Sequence, residues 1–180
     1  GGESTPVWSP DGKKLAFVAK REGDERGQIY ILHRDGGEAT RLTEMPLGAS
    51  SLKWFPDGNK IAFTSNTFPE AKGDLDTLKK IIKQKKDSKV TAKVTEDRFY
   101  RYWDSWLTDG YVTHLYSVDV ETGKVTDLTP ANEAILNVAG SGASYDISPT
   151  ADRIVLTANV TPKPYFKDLN FDLFLLDVDG

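Results

Sequence analysis

The sequence predicts an all-β chain: an incomplete β-propeller of about three four-stranded blades, with a short helical insertion in the second blade. Three observations carry this expectation. The stretch VWSPDGKKLAFV (Val7 to Val18) is written again as KWFPDGNKIAFT (Lys53 to Thr64), 46 positions on. A second repeat, IYILHRDGGEATRLT (Ile29 to Thr43) and LYSVDVETGKVTDLT (Leu115 to Thr129), aligns over 15 residues without a gap. The spacing inside the units then differs. Phe17 to Tyr30 is 13 residues and Phe63 to Tyr116 is 53, so about 40 residues are lodged in the second unit.

Blade one is expected over about 4–43. Pro10-Asp11-Gly12 sits between two apolar segments: proline pre-sets φ for a tight turn, Asp bonds its own backbone, and Gly accepts positive φ. Leu15-Ala16-Phe17-Val18 is apolar on successive residues, as a strand covered on both faces must be. The Tyr30 strand, a polar turn at Gly37 and a strand ending Leu42-Thr43 complete the unit. Blade two, about 50–129, repeats these parts with Pro56-Asp57-Gly58, Ile61 to Thr64 and Gly123. Blade three, about 143–180, rests on SYDISPTADRIVLT (Ser144 to Thr157) and LFLLDVDG (Leu173 to Gly180). Its turn has Ala151 where the others have glycine, so a different geometry is expected there.

Four-stranded units recurring at this spacing read as propeller blades, stacked face to face. A β-sandwich would show the turn signals without so long an ungapped internal match. A ring needs roughly four to eight blades. Three units, the last stopping inside a hairpin at Gly180, are therefore expected to be a piece of a larger propeller. Self-association through the open faces of blades one and three is the expected consequence.

The insertion, about 67–100, begins with DLDTLKKIIKQKKDSK (Asp74 to Lys89). Leu75, Leu78 and Ile82 fall at helical spacing with Ile81 alongside, and Asp74 is the candidate N-cap. Eight Lys and three Asp lie between Lys72 and Lys93, a local charge of +5 in a chain of net charge -4. This reads as a solvated amphipathic helix on the propeller rim, with a docking surface for an acidic partner or another domain as the alternative. No aromatic residues interleave the lysines, so nucleic acid is not the expected partner. RFYRYWDSWLTDGYVTHLY (Arg98 to Tyr116) follows. Asp109-Gly110 suits a hairpin turn, and alternation accounts for Leu107 to Tyr116. The rings before it exceed what one strand face buries. Arg101, Trp103, Asp104 and Trp106 are therefore the candidate substrate- or partner-facing residues, guanidinium and carboxylate beside indoles.

Composition narrows the rest. Apolar residues make up 38% and charged residues 28%, with a pI of about 5.2. This balance suits a globular chain and argues against nucleic acid as its partner. No apolar run approaches the 18 residues of a membrane span. Without cysteine there is no disulfide, thiolate metal site or Cys nucleophile, and the compartment stays open. No G-x-S-x-G elbow occurs. GSGAS (Gly140 to Ser144) reads as a connection between blades two and three. His33 and His114 read as ordinary strand residues, and DVDG (Asp177 to Gly180) as a hairpin turn rather than a calcium loop. No catalytic residue, metal or cofactor is expected in the chain.

The W-S-P-D-G-K-x-[LI]-A-F unit resembles the repeat of TolB-like and prolyl-oligopeptidase-type propellers. RYWDSWLTDGYVTHLYSVDVETG is similar to the propellers of S9 serine peptidases, nearest the acylaminoacyl-peptidase and dipeptidyl-peptidase V branch, in Arg101, Trp103, Asp104, Trp106, Asp109, Gly110 and His114. The resemblance implies a propeller that restricts entry of peptides to an α/β-hydrolase domain bearing Ser, Asp and His, with release of dipeptides or acylated residues. That catalytic domain is absent from this chain, so peptides and the hydrolase domain are expected partners of a parent protein only. A TolB-like scaffold that binds proteins without enzymatic activity is the alternative.

Overall fold

The computed structural model describes residues 2–90, 92, 101–102, 105–106, 110–132, 144–160 and 170–178. Blade one is a four-stranded antiparallel sheet of β1 (Ser4–Trp8), β2 (Lys14–Ala19), β3 (Gln28–His33) and β4 (Thr40–Arg41), in that spatial order. Blade two opens with β5 (Ser50–Trp54) and β6 (Lys60–Thr67). The insertion then contributes a 3-10 turn (Pro69–Ala71), α1 (Leu75–Asp87), and a hairpin of β7 (Arg101–Tyr102) and β8 (Ser105–Trp106). Blade two closes with β9 (Val112–Asp119) and β10 (Val125–Asp127), giving the order β10-β9-β6-β5. Blade three shows β11 (Tyr145–Ile147), β12 (Arg153–Asn159) and β13 (Phe171–Asp177).

The repeats turn out to be equivalent structure, atom for atom in places. Phe17 faces Tyr30 across β2 and β3, and Phe63 faces Tyr116 across β6 and β9. Both pairs stack, with centroids 6.1 and 5.6 Å apart. The closing Leu-Thr also has a physical reason. Thr43 Oγ1 accepts the Ile29 N–H at 3.0 Å, and Thr129 Oγ1 accepts the Leu115 N–H at 3.0 Å, so each threonine extends the ladder past a short outer strand. Even the irregularities recur: β1 and β5 bulge at Thr5 (φ 48) and Ser51 (φ 54), 46 positions apart.

Strands apolar on successive residues are buried between blades. Ala16, Val18, Ile29 and Ile31 of blade one meet Ile61, Phe63, Tyr116 and Val118 of blade two. Ala62 and Leu115, on the opposite face of blade two, meet Tyr145, Ile154 and Leu156 of blade three. Each such side chain contributes about 1.5–3 kcal/mol by leaving water. Polar ties fix the stacking: Trp54 Nε1 donates to the Val7 carbonyl at 3.1 Å, Tyr145 Oη donates to the Ala62 carbonyl at 3.0 Å, and Lys53 pairs with Asp146 at 2.8 Å. Among the described residues no helix is long and apolar enough to cross a membrane.

One expectation needs correction. The Pro149 turn does not differ from its counterparts. Ala151 adopts φ 62, beside φ 68 at Gly12 and φ 74 at Gly58, and its N–H closes the same bond to the residue three back. Interblade packing imposes the geometry, and Ala151 holds a left-handed backbone that a Cβ disfavours. Blade one's outward face is covered only in part: Trp8, opposite Leu15 on that face, is 57% exposed. Phe17 and Tyr30 are buried, and the Arg21 guanidinium lies over them, 5.9 and 4.6 Å from the ring centroids. Blade three does expose an apolar face, with Phe171, Leu173 and Leu175 on β13 open to solvent.

Candidate functional site

The insertion is rooted in a small core of its own. Asp74 caps α1 as expected, accepting the Asp76 N–H at 3.0 Å and the Thr77 hydroxyl at 2.7 Å. These bonds hold its carboxyl below the usual range, the Thr77 hydroxyl foremost. The apolar stripe then does what its spacing requires: Leu75, Ile81 and Ile82 pack around buried Leu78, together with Phe68, Ala71 and Leu47 from the link between blades one and two. Lys85 Nζ sits 4.6 Å from the Phe68 ring centroid, and Tyr111 packs on the same ring at 4.6 Å. Gly110 takes φ 82, and a Cβ there would touch Phe68.

Further along the insertion comes the β7–β8 hairpin. Arg101 pairs with Trp106 and Tyr102 with Ser105, so two of the four candidate residues, Arg101 and Trp106, lie directly opposite one another. Trp103 and Asp104 join the two strands and lie outside the described residues, as do Asp109, the first four residues of GSGAS and the end of DVDG. The hairpin belongs to the β6–β9 connection, at the same end of the blades as the β2–β3 loop of blade one.

Sequence reasoning missed the buried polar anchors at that end. Gln28, just before Ile29, is buried; its amide donates to the Met45 carbonyl at 2.9 Å and accepts from the Met45 N–H at 2.8 Å and the Thr43 hydroxyl at 3.0 Å. His114 occupies the same position, just before Leu115, and is equally buried. Its Nδ1 lies 2.7 Å from Asp127 Oδ2 and its Nε2 2.8 Å from the Asn132 carbonyl. Both partners are oxygen acceptors, so each ring nitrogen is held at hydrogen-bond distance. The expected ordinary strand residue is thus the bolt between β9, β10 and the chain that follows. Extending the second repeat one residue toward the N-terminus would have pointed to both positions.

Around these anchors the electrostatics are set by burial. The Asp24 carboxylate, 1% exposed, accepts from Tyr30 Oη at 2.7 Å, the Arg21 N–H at 3.0 Å and Arg41 at 3.0 Å. The Tyr30 bond, then the Arg21 and Arg41 contacts, hold its carboxyl below the usual range. Burial first, then Asp24, pushes the Tyr30 hydroxyl up. The counterpart hydroxyl of Tyr116 is buried, with Thr67 and Asp127 beside it but no bond of normal geometry among the described residues; burial first, then Asp127, pushes it well up. No cluster of His, Asp and Glu suited to a metal occurs among the described residues.

Blades of this strand order, stacked face to face with their first strands adjacent, define a β-propeller-type protein. A family model described as the TolB beta propeller domain (PD40) matches residues 1–172, and the chain belongs to that family. It is 35% identical over 156 residues to a Bacillus subtilis (strain 168) protein described as the uncharacterized peptidase YuxL, covering 87% of this chain and 22% of that protein. The chain therefore spans about a fifth of that relative's length. It also superposes on Pyrococcus horikoshii acylaminoacyl peptidase with a TM-score of 0.59 at 18% identity, over 96% of this chain and 23% of that one. A putative TolB from Agrobacterium tumefaciens superposes with a TM-score of 0.52 at 20% identity, over 100% of this chain and 48% of that one. At such identities the two structural likenesses establish the fold. The chain is a propeller portion related to those of S9-type peptidases.

Proposed function

We propose that this chain is the non-catalytic, substrate-gating propeller portion of a serine exopeptidase that releases dipeptides or acylated residues from peptides. The hydrolase chemistry belongs to an α/β-hydrolase domain of the longer protein. The observation that carries this reading is the 35% identity to a peptidase over 87% of the chain, at 22% of that protein's length. The β7–β8 hairpin is the gating element. Arg101, Trp103, Asp104 and Trp106 offer incoming peptide a guanidinium, a carboxylate and two indoles, a set able to hold termini and apolar side chains. The insertion that bears the hairpin is rooted in the Phe68–Leu78 core, and a fixed root favours a loop-borne site.

The test is fluorophosphonate labelling of the natural full-length product, with mapping of the labelled peptide. A labelled Ser inside G-x-S-x-G supports the peptidase reading. No label on a folded product overturns it and leaves the second reading, a protein-binding scaffold, which the likeness to a putative TolB favours. If labelling succeeds, Arg101→Ala and Trp103→Ala are expected to raise KM for peptides with little change in labelling rate by the small probe. Unchanged KM in both variants removes the hairpin from the gate.

A further inference from the structure

We infer that the cleft between α1 and blade one is a docking groove for an extended acidic peptide segment, independent of the peptidase reading. The cleft encloses about 580 Å³, within the range of peptide- and ligand-sized sites. Its helix wall is the stripe Lys79, Ile82, Lys83 and Lys86, spaced i, i+3, i+4, i+7 on one face of α1. Arg26 of the β2–β3 loop lines the opposite side, and Met45 and Pro46 form an apolar end.

The groove is built rather than incidental. Its floor contains Asp24, fixed by Tyr30, Arg21 and Arg41, and Gln28, whose buried amide clamps Met45 from both sides. Walls held in this way need no ordering when a ligand arrives. Of the three acidic residues lining the cleft, Asp24 has three donors and Glu44 is held by Arg41, while Glu25 is exposed and meets only Lys86 among the described residues. Against these stand five cations, Arg26, Arg41, Lys79, Lys83 and Lys86. Four of the cations are not firmly committed. Lys79 meets Asp76 at 3.6 Å and Lys86 meets Glu25 at 4.0 Å, both exposed and easily displaced. Among the described residues Lys83 and Arg26 make no ion pair. α1 carries five Lys against two Asp, while the chain as a whole has a net charge of -4.

Spacing selects the ligand. Lys79 and Lys83 stand roughly 6 Å apart along the helix at 1.5 Å per residue. In an extended chain, residues two apart lie about 6.6 Å from each other and point the same way. Carboxylates at alternate positions of an extended segment therefore match the lysine stripe, and the intervening residues face solvent or Ile82. Arg26 completes the recognition from the other wall.

The measurement is fluorescence anisotropy of a labelled alternating Glu-Ser octapeptide on the natural full-length protein, beside the Gln-Ser octapeptide of equal length. Binding is expected only for the Glu peptide, weakening as salt is raised. The exposed-surface variant K79E/K83E/K86E is expected to lose about tenfold or more in affinity, and Arg26→Glu several-fold, with far-UV circular dichroism unchanged. Equal binding by the Gln peptide overturns the proposal, as does undiminished binding by both variants. Displacement of the peptide by an equal concentration of inorganic phosphate would reduce the groove to a simple anion site and overturns it as well.

Discussion

Tyr30 and Tyr116 occupy the same place in successive blades, yet removal of their hydroxyls is expected to move stability in opposite directions. Tyr30 Oη donates to the buried Asp24 carboxylate at 2.7 Å. Tyr30→Phe deletes that bond and leaves Asp24 with two donors, Arg21 N–H and Arg41, a loss of about 1.5–3 kcal/mol for a bond to a charged group. Tyr116 buries a hydroxyl that has Thr67 and Asp127 beside it but no bond of normal geometry among the described residues, and a buried group left so costs about 1–3 kcal/mol in lost hydration. Tyr116→Phe keeps the ring stacked on Phe63 and removes only that oxygen. It is expected to be neutral or to stabilise by about 1 kcal/mol. Urea denaturation followed by tryptophan fluorescence, with thermal melts at about 2–4 °C per kcal/mol for a chain of this size, resolves the sign. A loss above ~1 kcal/mol in Tyr116→Phe would mean that the hydroxyl is bonded, and the reasoning fails.

Ala151→Gly should stabilise the chain by about 0.5 kcal/mol, because relief of the left-handed backbone outweighs the added unfolded-state freedom and a partly buried methyl. Gly12→Ala should destabilise by about 1 kcal/mol, since a Cβ there meets nothing within 4 Å and only the backbone objects; like signs for the two in denaturation curves would contradict this. Asp24→Asn should flatten the acid limb of stability. The folded carboxyl is depressed, so its contribution is complete above about pH 5 and vanishes as pH falls below ~3.9 through the folded value; a gap between variant and parent that stays constant from pH 7 to pH 2 would sink the assignment. The isolated chain should self-associate through β13, where Leu173 and Leu175 are 73% and 63% exposed. Leu173→Lys with Leu175→Glu should return it to a monomer in light scattering, and a parent monomeric at every concentration would refute the idea.

What the sequence made legible is what repetition encodes. Two copies of one apolar pattern 46 residues apart expose the blades, because stacking forces the same alternation and the same turns on each copy. The helix was legible from Leu75, Leu78 and Ile82 and from its Asp74 cap, all local features. The turn at Ala151 was not, since nothing local reveals that packing against blade two would hold a non-glycine residue at positive φ. The partial cover on blade one's outward face was also hidden. Arg21 lies in a charged stretch that reads as a polar loop, and its place over Phe17 and Tyr30 is a tertiary fact. For the hairpin, sequence supplied the residues, and pairing supplied the opposition of Arg101 and Trp106.

The comparison of Gln28 with His114 explains how blade two carries so long an insertion. In blade one, a loop of a few residues returns Asp24 to Tyr30 and Arg41, and Gln28 needs only to clamp the outgoing chain at Met45. In blade two, that loop is replaced by the insertion, and among the described residues the aspartate nearest Tyr116 is Asp127 of β10. Asp127 stands at the position of Arg41, and its carboxylate turns to His114. The chain entering the insertion packs on this pair: a Cβ on Gly73, at φ 81, would come within 3.3 Å of Asp127 Oδ2 and 3.2 Å of Pro130. One bolt therefore secures β9, β10, the outgoing chain and the root of the insertion. The Tyr116 hydroxyl, without a bond of normal geometry among the described residues, is the energetic cost of that exchange.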